Sequence, residues 1–306
     1  MICEKTIVGA GTEYPLSGMI TLPDVANGPV PAVVMVHGSG PSDMDERVIK
    51  LTPFKDLAEG LAGHGIASLR FDKRTYAHKR KISKITCPTV REESIEDAIL
   101  AVKLLKKDPR IDSGRVFVLG HSEGAMLAPR IDAEGADARG LILLAGTPYR
   151  LEDIVLRQLK QGAANPAVRW VLGFEHKIYS KKFAGLYQMS DEEAKKKSFA
   201  GNLSLYYFKE MGQKTAADYL LESSKPALIM QGGGDFQVLA DDDFAKFREL
   251  LSGRENTVFK LYPGLNHCFV DAIYSDILKA SKEYGKERHI GEEVIGDIAA
   301  FIKENQ

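Results

Sequence analysis

The apolar residues of this 306-residue chain occur in short continuous runs that alternate with segments of helical periodicity. Runs typical of strands occur at 31–36, 66–71, 116–119, 140–146, 227–230 and 257–262, and those at 31–36, 116–119 and 140–146 are typical of buried strands. Amphipathic helices are expected between or after them at 53–63, 92–107, 125–133, 241–251 and 291–303. Two further strands, at 5–8 and 16–22, are expected to pair antiparallel. This alternation predicts an α/β protein whose sheet is mostly parallel, with helices on both faces.

The alternation stops at residues 148–222, where helical patterns replace the strand patterns. Helices are expected at 151–161, 166–180, 191–200 and 202–222, and no strand pattern is evident. The segment holds 11 of the 25 Phe, Tyr and Trp residues of the chain. The sequence therefore predicts a core of residues 1–147 and 223–306 and a helical cap of residues 148–222 over the strand ends. We expect most of these rings to form the cap's own core and one or two to line an apolar pocket.

Composition restricts the possible partners. The formal net charge is −1, from 41 Lys and Arg and 42 Asp and Glu, which gives no support for a nucleic-acid or anionic-membrane partner. No apolar run approaches the ~18 residues of a membrane span, and the first residues do not resemble a secretory signal. Cys3, Cys87 and Cys268 lack metal-ligand spacing. We expect a cytoplasmic protein without a metal, and the sequence leaves its oligomeric state open.

The segment 116–124, VFVLGHSEG, carries the strongest chemical signal. A predicted strand leads into the pattern G-x-S-x-G, and a predicted helix follows it, which is the context of a nucleophile elbow. Gly120 and Gly124 supply the small side chains that such a sharp turn requires. The hydroxyl of Ser122 then stands at the start of a helix, where developing negative charge is stabilised.

A serine hydroxyl is a weak nucleophile at neutral pH and needs a base that a carboxylate orients. Asp235 and His267 each follow a predicted strand, in the chain order Ser, Asp, His that the nucleophile-elbow fold shows. All three side chains are therefore expected at the carboxyl edge of one sheet. The competing candidates fit less well. Residues 241–243 (three aspartates) are better N-caps, His289 lies in a polar segment that is expected to be a loop (281–289), and His37 and His121 are expected to shape turns.

Three further segments are rich in glycine or in charged residues. The sequence HGSGP at 37–41 follows a buried strand, and its glycines allow backbone N–H groups to approach a ligand. The charged triplet 72–74 is expected to be a salt-bridged turn that anchors neighbouring loops. The basic segment 77–88 is expected to be a solvated loop.

The motifs VVMVHGSGP, LRFDKRTY, VLGHSEGA, GGGDFQV and YPGLNH resemble those of the α/β-hydrolase superfamily. Within it, the chain is similar to bacterial serine hydrolases of the dienelactone-hydrolase and prolyl-oligopeptidase-like type. The resemblance implies an α/β-hydrolase fold with Ser122 as nucleophile, Asp235 as acid and His267 as base. It also implies an oxyanion hole made by the backbone N–H groups of Ser39 and Glu123.

One departure from the family pattern concerns the turn after the fourth strand. Relatives often carry D-K-R-G-x-G there, whereas this chain has Thr75 and Tyr76 after the D-K-R. The ring of Tyr76 is expected to narrow the space that the loop borders.

These observations predict a hydrolase of small carboxylic esters that needs no metal or organic cofactor. A peptidase or an acyl-CoA thioesterase that uses the same three residues is an alternative. A non-catalytic ligand-binding protein on this fold is an alternative from another class, although a pure binder has no reason to retain a complete Ser–His–Asp set. The sequence does not specify the acyl or alcohol part of the substrate.

Overall fold

A computed structural model describes residues 1–25 and 28–305 of the chain, so three residues of the predicted core (26, 27 and 306) lie outside the described residues. The strands of the described part are β1 (Ile2–Val8), β2 (Leu16–Leu22), β3 (Val30–Val36), β4 (Ala67–Phe71), β5 (Ile111–His121), β6 (Leu141–Leu144), β7 (Ser198–Ala200), β8 (Leu203–Ser204), β9 (Ala227–Gly232) and β10 (Thr257–Tyr262). Eight of them form one sheet in the order β1-β2-β4-β3-β5-β6-β9-β10. The pairs β1–β2 and β2–β4 are antiparallel and the other pairs are parallel. The predicted α/β-hydrolase fold is confirmed.

The helices connect the strands and cover the sheet. They are α1 (Pro53–Gly63), α2 (Arg74–Ala77), α3 (Lys79–Ile82), α4 (Glu96–Leu105), α5 (Glu123–Ile131), α6 (Leu151–Gly162), α7 (Arg169–Phe183), α8 (Asp191–Lys196), α9 (Leu205–Met211), α10 (Ala216–Glu222), α11 (Ala245–Leu250), α12 (Ala280–Glu283) and α13 (Glu292–Glu304). Wider π-helical turns precede α4 and α11, at Arg91–Ile95 and Ala240–Phe244, and another, Asp132–Ala136, follows α5. A 3-10 turn, Ile277–Lys279, precedes α12.

Side chains of the central strands alternate between two apolar clusters, one on each face of the sheet. Val34 and Val118 belong to the cluster that includes residues of α4 and α5. Val33 and Leu119 belong to the cluster that includes residues of α1 and α13. All four side chains are fully buried, which is why these strands read as continuous apolar runs instead of alternating ones. The two covered faces keep the sheet rigid beneath its carboxyl edge.

The segment 148–222 contains α6 to α10, and one part of its predicted structure is wrong. β7 and β8 form an antiparallel hairpin where only helices were expected. Strands of three and two residues are too short to show a period of two, and Gly201 supplies the positive φ of 57° in the turn between them. The expected helix 202–222 is divided because α9 ends at Met211, with Gly212 as its C-cap, and a capping box at Thr215 and Asp218 begins α10.

Two expected loops also contain helical turns. α2 ends at the first residue of the basic segment 77–88, and α3 lies inside that segment. α12 begins one residue before the segment 281–289 and extends into it. All three are four-residue helices, which are too short to show an apolar stripe in the sequence. Ile82 of α3 is nevertheless buried, which fixes this basic segment against the protein.

Candidate active site

Ser122 occupies the tight turn between β5 and α5. Its φ of 54° and ψ of −117° lie in a region that residues with a Cβ rarely adopt. A Cβ on Gly120 would lie 2.0 Å from the carbonyl oxygen of Gly124, and one on Gly124 would lie 2.1 Å from that of Val36. Both positions therefore require glycine. The backbone N–H of Ser122 donates to Leu144 at 2.9 Å, which ties the turn to β6.

The other two predicted site residues lie beyond the ends of β9 and β10 and contact each other. His267 Nδ1 is 2.6 Å from Asp235 Oδ2, and both residues are buried. Asp235 Oδ1 accepts hydrogen bonds from the backbone N–H groups of Gln237 and Val238, at 2.7 and 3.0 Å. Its Oδ2 also accepts one from Gln231 Nε2 at 3.1 Å. Because the carboxylate of Asp235 accepts a hydrogen bond from Nδ1–H, the neutral imidazole carries its proton on Nδ1. Nε2 of His267 is then the nitrogen that can take up a proton.

The loop that carries His267 is held by a buried amide. Asn266 Oδ1 accepts a hydrogen bond from the backbone N–H of Cys268 at 2.9 Å. Asn266 Nδ2 donates to Glu283 Oε1 at 2.6 Å. The carboxylate of Glu283 is buried too, and its Oε2 accepts from the backbone N–H groups of Ile273 and Tyr274. These bonds fix the backbone on the C-terminal side of the imidazole.

A buried carboxylate that the sequence reasoning missed, Glu46, connects the glycine-rich loop with the elbow. Glu46 Oε1 accepts a hydrogen bond from the backbone N–H of Gly38 at 2.7 Å, and Oε2 lies 3.0 Å from His121 Nδ1. His121 Nε2 donates to the carbonyl oxygen of His267 at 2.8 Å. Burial disfavours charge on the His121 ring, but Glu46 and the His267 carbonyl outweigh it and raise the pKa of His121.

His37 shapes the same loop from the other side. Its Nε2 lies 3.0 Å from the carbonyl oxygen of Asp43, and its ring packs against Phe54 and Phe71. Burial lowers the pKa of His37 to about 4, so the ring is neutral at physiological pH. His37 and His121 thus have the turn-shaping contacts expected of them.

The triplet 72–74 anchors several loops, as its sequence predicts. Asp72 Oδ1 accepts a hydrogen bond from the backbone N–H of Met44 at 2.9 Å. Arg74 forms two hydrogen bonds with the buried carboxylate of Asp97, at 2.8 and 2.6 Å. Between them, Lys73 extends beneath the elbow, where its Nζ is 3.2 Å from Glu123 Oε2.

Tyr207 connects the segment 148–222 to this buried cluster. Its hydroxyl lies 2.8 Å from Glu93 Oε2 and 3.2 Å from Glu123 Oε1, and the side chain is buried. Burial raises the pKa of Glu123, and the nearby carboxylate of Glu93 raises it further. The ammonium group of Lys73 opposes this shift without cancelling it. No sequence motif marks these partners, because they come from four separate parts of the chain.

A cavity of about 430 Å³ opens over the elbow. Ser122, His267, Ser39 and Glu123 all line it, so the structure brings the predicted nucleophile and base to one space together with both predicted oxyanion residues. Helix α6 forms an apolar wall with Leu151, Ile154 and Val155, while Gln158 adds an amide. A second chamber of about 340 Å³ shares part of this lining and continues to residues of α3, β8 and α9: Ile82, Leu203, Tyr207 and Phe208.

Asp242 and Asp243 bind the segment 148–222, and the N-cap of the turn Ala240–Phe244 is Leu239, so the predicted N-cap role of these acids was wrong. Asp243 Oδ2 does accept a hydrogen bond from the backbone N–H of Leu239 at 2.6 Å. Arg157 of α6 contacts Asp242 Oδ2 at 2.7 Å and Asp243 Oδ2 at 2.5 Å. Asp243 has no exposed surface and also accepts a hydrogen bond from the hydroxyl of Thr147 at 2.6 Å. Asp241 is exposed at the surface. The side chains of 242 and 243 are therefore partners of a neighbouring helix.

Two other residues lie away from the cavity. His289 is 67% exposed and pairs with Asp56 of α1 at 3.0 Å. Tyr76 is 53% exposed and is not among the cavity-lining residues. The expectation that Tyr76 narrows the site is wrong, because α2 turns its ring toward solvent.

Within residues 1–25 and 28–305, no group of three or more His, Cys, Asp and Glu side chains has the arrangement of a metal site. The three cysteines are free. None of the helices described in these ranges combines the length and hydropathy required to span a bilayer.

Comparison with known proteins agrees with this architecture. Residues 33–272 match the family model described as "Alpha/beta hydrolase family". Esterase EstD of Thermotoga maritima is 37% identical over 299 residues, which cover 98% of this chain and 67% of EstD. Among solved structures, an esterase of Pyrococcus furiosus superposes with a TM-score of 0.62 at 19% identity, covering 99% of this chain and 91% of that one. Est1E of Butyrivibrio proteoclasticus gives 0.59 at 16% identity and covers 98% of both chains.

The two solved structures are too distant in sequence to show more than a shared fold. The family model spans most of the chain, and EstD is similar along nearly all of it. The resemblance drawn from the sequence motifs is thereby confirmed, and the chain belongs to the alpha/beta hydrolase family.

Proposed function

We propose that the protein hydrolyses carboxylic esters, with Ser122 as the nucleophile, His267 as the general base and Asp235 as the acid that orients it. The 2.6 Å contact between His267 Nδ1 and Asp235 Oδ2 carries this proposal, because the paired imidazole shares a cavity with a serine held at positive φ. The similarity to an esterase along nearly the whole chain supports ester chemistry.

The reaction would proceed through an acyl-enzyme. Ser122 Oγ attacks the ester carbonyl while His267 Nε2 takes the hydroxyl proton, and the same nitrogen then delivers that proton to the departing alcohol. Water repeats the sequence on the acyl-serine and releases the acid. Asp235 keeps the proton of Nδ1 in place and stabilises the imidazolium, so it remains ionised throughout.

The negative oxygen of the tetrahedral intermediate would be bound by the backbone N–H groups of Ser39 and Glu123. Glu123 is the first residue of the nine-residue helix α5, and the positive end of a helix dipole favours negative charge there. A donor of this kind contributes about 3–4 kcal/mol to transition-state stabilisation in comparable sites. Both residues line the catalytic cavity, which supports this assignment.

We also propose that residues 148–222 act as a cap that selects the substrate. The apolar side chains of Leu151, Ile154 and Val155 face the space above Ser122. The volume of about 430 Å³ suits a small molecule. These features support small, uncharged esters with an apolar acyl or alcohol group. The free cysteines support a reducing compartment, so we place the protein in the cytoplasm.

Site-directed variants test the assignment on a panel of nitrophenyl esters of graded chain length, with an aminoacyl anilide and an acyl-CoA as the peptidase and thioesterase arms. Ser122→Ala should lower kcat by about 10⁴-fold or more. His267→Ala and Asp235→Asn should each be severely impaired and add little to Ser122→Ala, because the three groups act as one unit. His289→Ala is the matched histidine control and should retain full activity.

Labelling by a fluorophosphonate separates an enzyme from a ligand-binding protein on this fold. The wild type should be labelled and Ser122→Ala should not. Activity of Ser122→Ala within tenfold of the wild type would refute the nucleophile assignment. Inactivation by His289→Ala would refute the assignment of the base.

A further inference from the structure

A buried ammonium group lies behind the proposed oxyanion hole. Lys73 lies two residues beyond the end of β4, and its side chain is 2% exposed. Its Nζ donates to the carbonyl oxygen of Gly38 at 2.8 Å and lies 2.7 Å from Glu93 Oε1. Lys73 is not among the described residues that line the catalytic cavity. It therefore contacts the site from the side opposite to the substrate.

The bond to Gly38 acts on the peptide unit that supplies a proposed donor. The carbonyl of Gly38 and the N–H of Ser39 belong to the same peptide, and in a trans peptide these groups point in opposite directions. An ammonium that fixes the carbonyl therefore also fixes the direction of the N–H. The peptide lies directly against the nucleophile, since a Cβ on Gly38 would be 3.1 Å from Cβ of Ser122.

The same ammonium also contacts the residue that supplies the second proposed donor. Lys73 Nζ is 3.2 Å from Oε2 of Glu123, and both side chains are buried. Tyr207 holds the other oxygen of that carboxylate, at 3.2 Å. Lys73 thus connects the loop after β3 to the start of α5, and it acts alongside Glu46, which binds the N–H of Gly38 and contacts His121 on the other side of the elbow.

We propose that Lys73 is a positioning residue for the oxyanion hole, which orients the Ser39 N–H through the Gly38 carbonyl and fixes the start of α5 through Glu123. This inference rests on the proposed serine-hydrolase function. A hydrogen bond to a carbonyl also polarises its amide, so Lys73 strengthens the Ser39 N–H as a donor. Burial opposes charge on Lys73, but Glu123 and Glu93 outweigh it and raise its pKa, so the ammonium persists at neutral pH.

The test replaces Lys73 by methionine, which has a similar length and no charge. We expect kcat for a nitrophenyl ester to fall about 10- to 100-fold, somewhat less than the loss of a complete oxyanion donor, while KM changes by less than threefold. The affinity for a trifluoromethyl ketone should fall by the same factor as kcat/KM, since its adduct with Ser122 carries the oxyanion. A purely structural role would not produce this parallel loss.

Two further variants make the result unambiguous. Lys73→Met combined with Glu93→Gln keeps the local net charge and should show the same kinetic loss, even if the single variant folds poorly. Arg74→Gln removes the adjacent buried cation, which binds Asp97 and contacts neither proposed donor, so it should lower stability but keep kcat within threefold.

Each outcome bears on one proposal. A folded Lys73 variant, single or double, whose kcat and inhibitor affinity stay within threefold of the wild type would overturn the role of Lys73. An equal loss of inhibitor affinity in Arg74→Gln would also overturn it. If Ser122→Ala remains active, the proposed function itself fails, and this result is independent of the Lys73 variants.

Discussion

The carboxylate of Glu46 lies 3.0 Å from Nδ1 of His121, and both side chains are at most 6% exposed. The contact joins the loop after β3 to the nucleophile elbow. Because the other ring nitrogen of His121 donates to a carbonyl oxygen, a proton on Nδ1 makes the ring an imidazolium that faces a carboxylate. The two atoms are not aligned as a hydrogen bond, so the attraction between opposite charges 3.0 Å apart is what favours this buried pair, and its contribution to stability depends on pH.

The first prediction concerns this pair. Glu46→Gln should lower the free energy of unfolding by about 3 kcal/mol near pH 6, the cost of removing one partner of a buried ion pair. The folded-state pKa of His121 is raised above its ordinary value of 6.5. The contribution of the pair is therefore complete below pH 6.5 and is lost as the pH rises through that raised pKa. Urea unfolding from pH 6 to pH 10 should show the difference between the two proteins shrinking.

Glu283→Gln is the control for this measurement. Glu283 is also buried, and its partners are the amide of Asn266, the guanidinium of Arg288 and backbone N–H groups, with no imidazole among them. Its effect on stability should stay constant from pH 6 to pH 10. A Glu46→Gln effect that is likewise constant would contradict this prediction, because it would mean that His121 does not change its protonation state between pH 6 and pH 10.

The second prediction tests whether α6 selects the substrate. Val155 lines both chambers, so Val155→Trp should fill the space that a long acyl chain occupies. We expect kcat/KM for an octanoyl ester to fall at least about tenfold, because losing the apolar contacts of the chain end raises the activation free energy by about 1–3 kcal/mol. The value of kcat/KM for the acetyl ester should stay within threefold of the wild type.

Val171→Trp provides the matched control for Val155→Trp. It introduces the same ring on α7 at a position that is 52% exposed and away from both chambers. It should leave the ratio of octanoyl to acetyl kcat/KM unchanged. An unchanged ratio in Val155→Trp as well would show that the segment 148–222 does not contribute to substrate choice.

The third prediction compares two glycines. Gly124→Ala should destabilise the protein by about 3 kcal/mol or more, since the new Cβ would overlap the carbonyl oxygen of Val36 at 2.1 Å. Gly296→Ala lies within α13, where a Cβ meets nothing within 4 Å, and should stabilise by about 0.5–1 kcal/mol. Thermal and urea unfolding of both variants check this. A Gly124→Ala protein as stable as the wild type would contradict the packing of the elbow.

The sheet and the triad candidates could be predicted because their signals are local. The buried strand β9, which precedes Asp235, is a run of apolar residues, and the edge strand β10, which precedes His267, still shows a strand pattern in the sequence although it is partly exposed. The parallel topology then brings the three residues together, because the carboxyl ends of parallel strands lie at one edge of the sheet. The backbone of Ser122 could be predicted for the same reason, because the glycines that permit its φ flank it in the sequence.

The supporting residues could not be predicted, because their partners are distant in the chain. Glu46 contacts an imidazole 75 positions away, and Tyr207 contacts a carboxylate 84 positions away. Such pairs depend on the path of loops, which carries no periodic pattern. The same reason explains the error at 242 and 243. Aspartates at a helix start are typical N-caps, and only the folded chain brings Arg157 close enough to pair with them.

The ion pairs of Arg157 have a consequence for how substrate reaches Ser122. Swinging α6 away from the sheet would separate Arg157 from Asp243, a carboxylate without exposed surface, and leave an uncompensated charge in the interior. Such a hinge motion is energetically unfavourable, so we expect esters to enter and acids to leave through a permanent opening beside α6. Turnover would then be limited by the chemical steps and by diffusion through that opening, and not by the rate at which a lid opens.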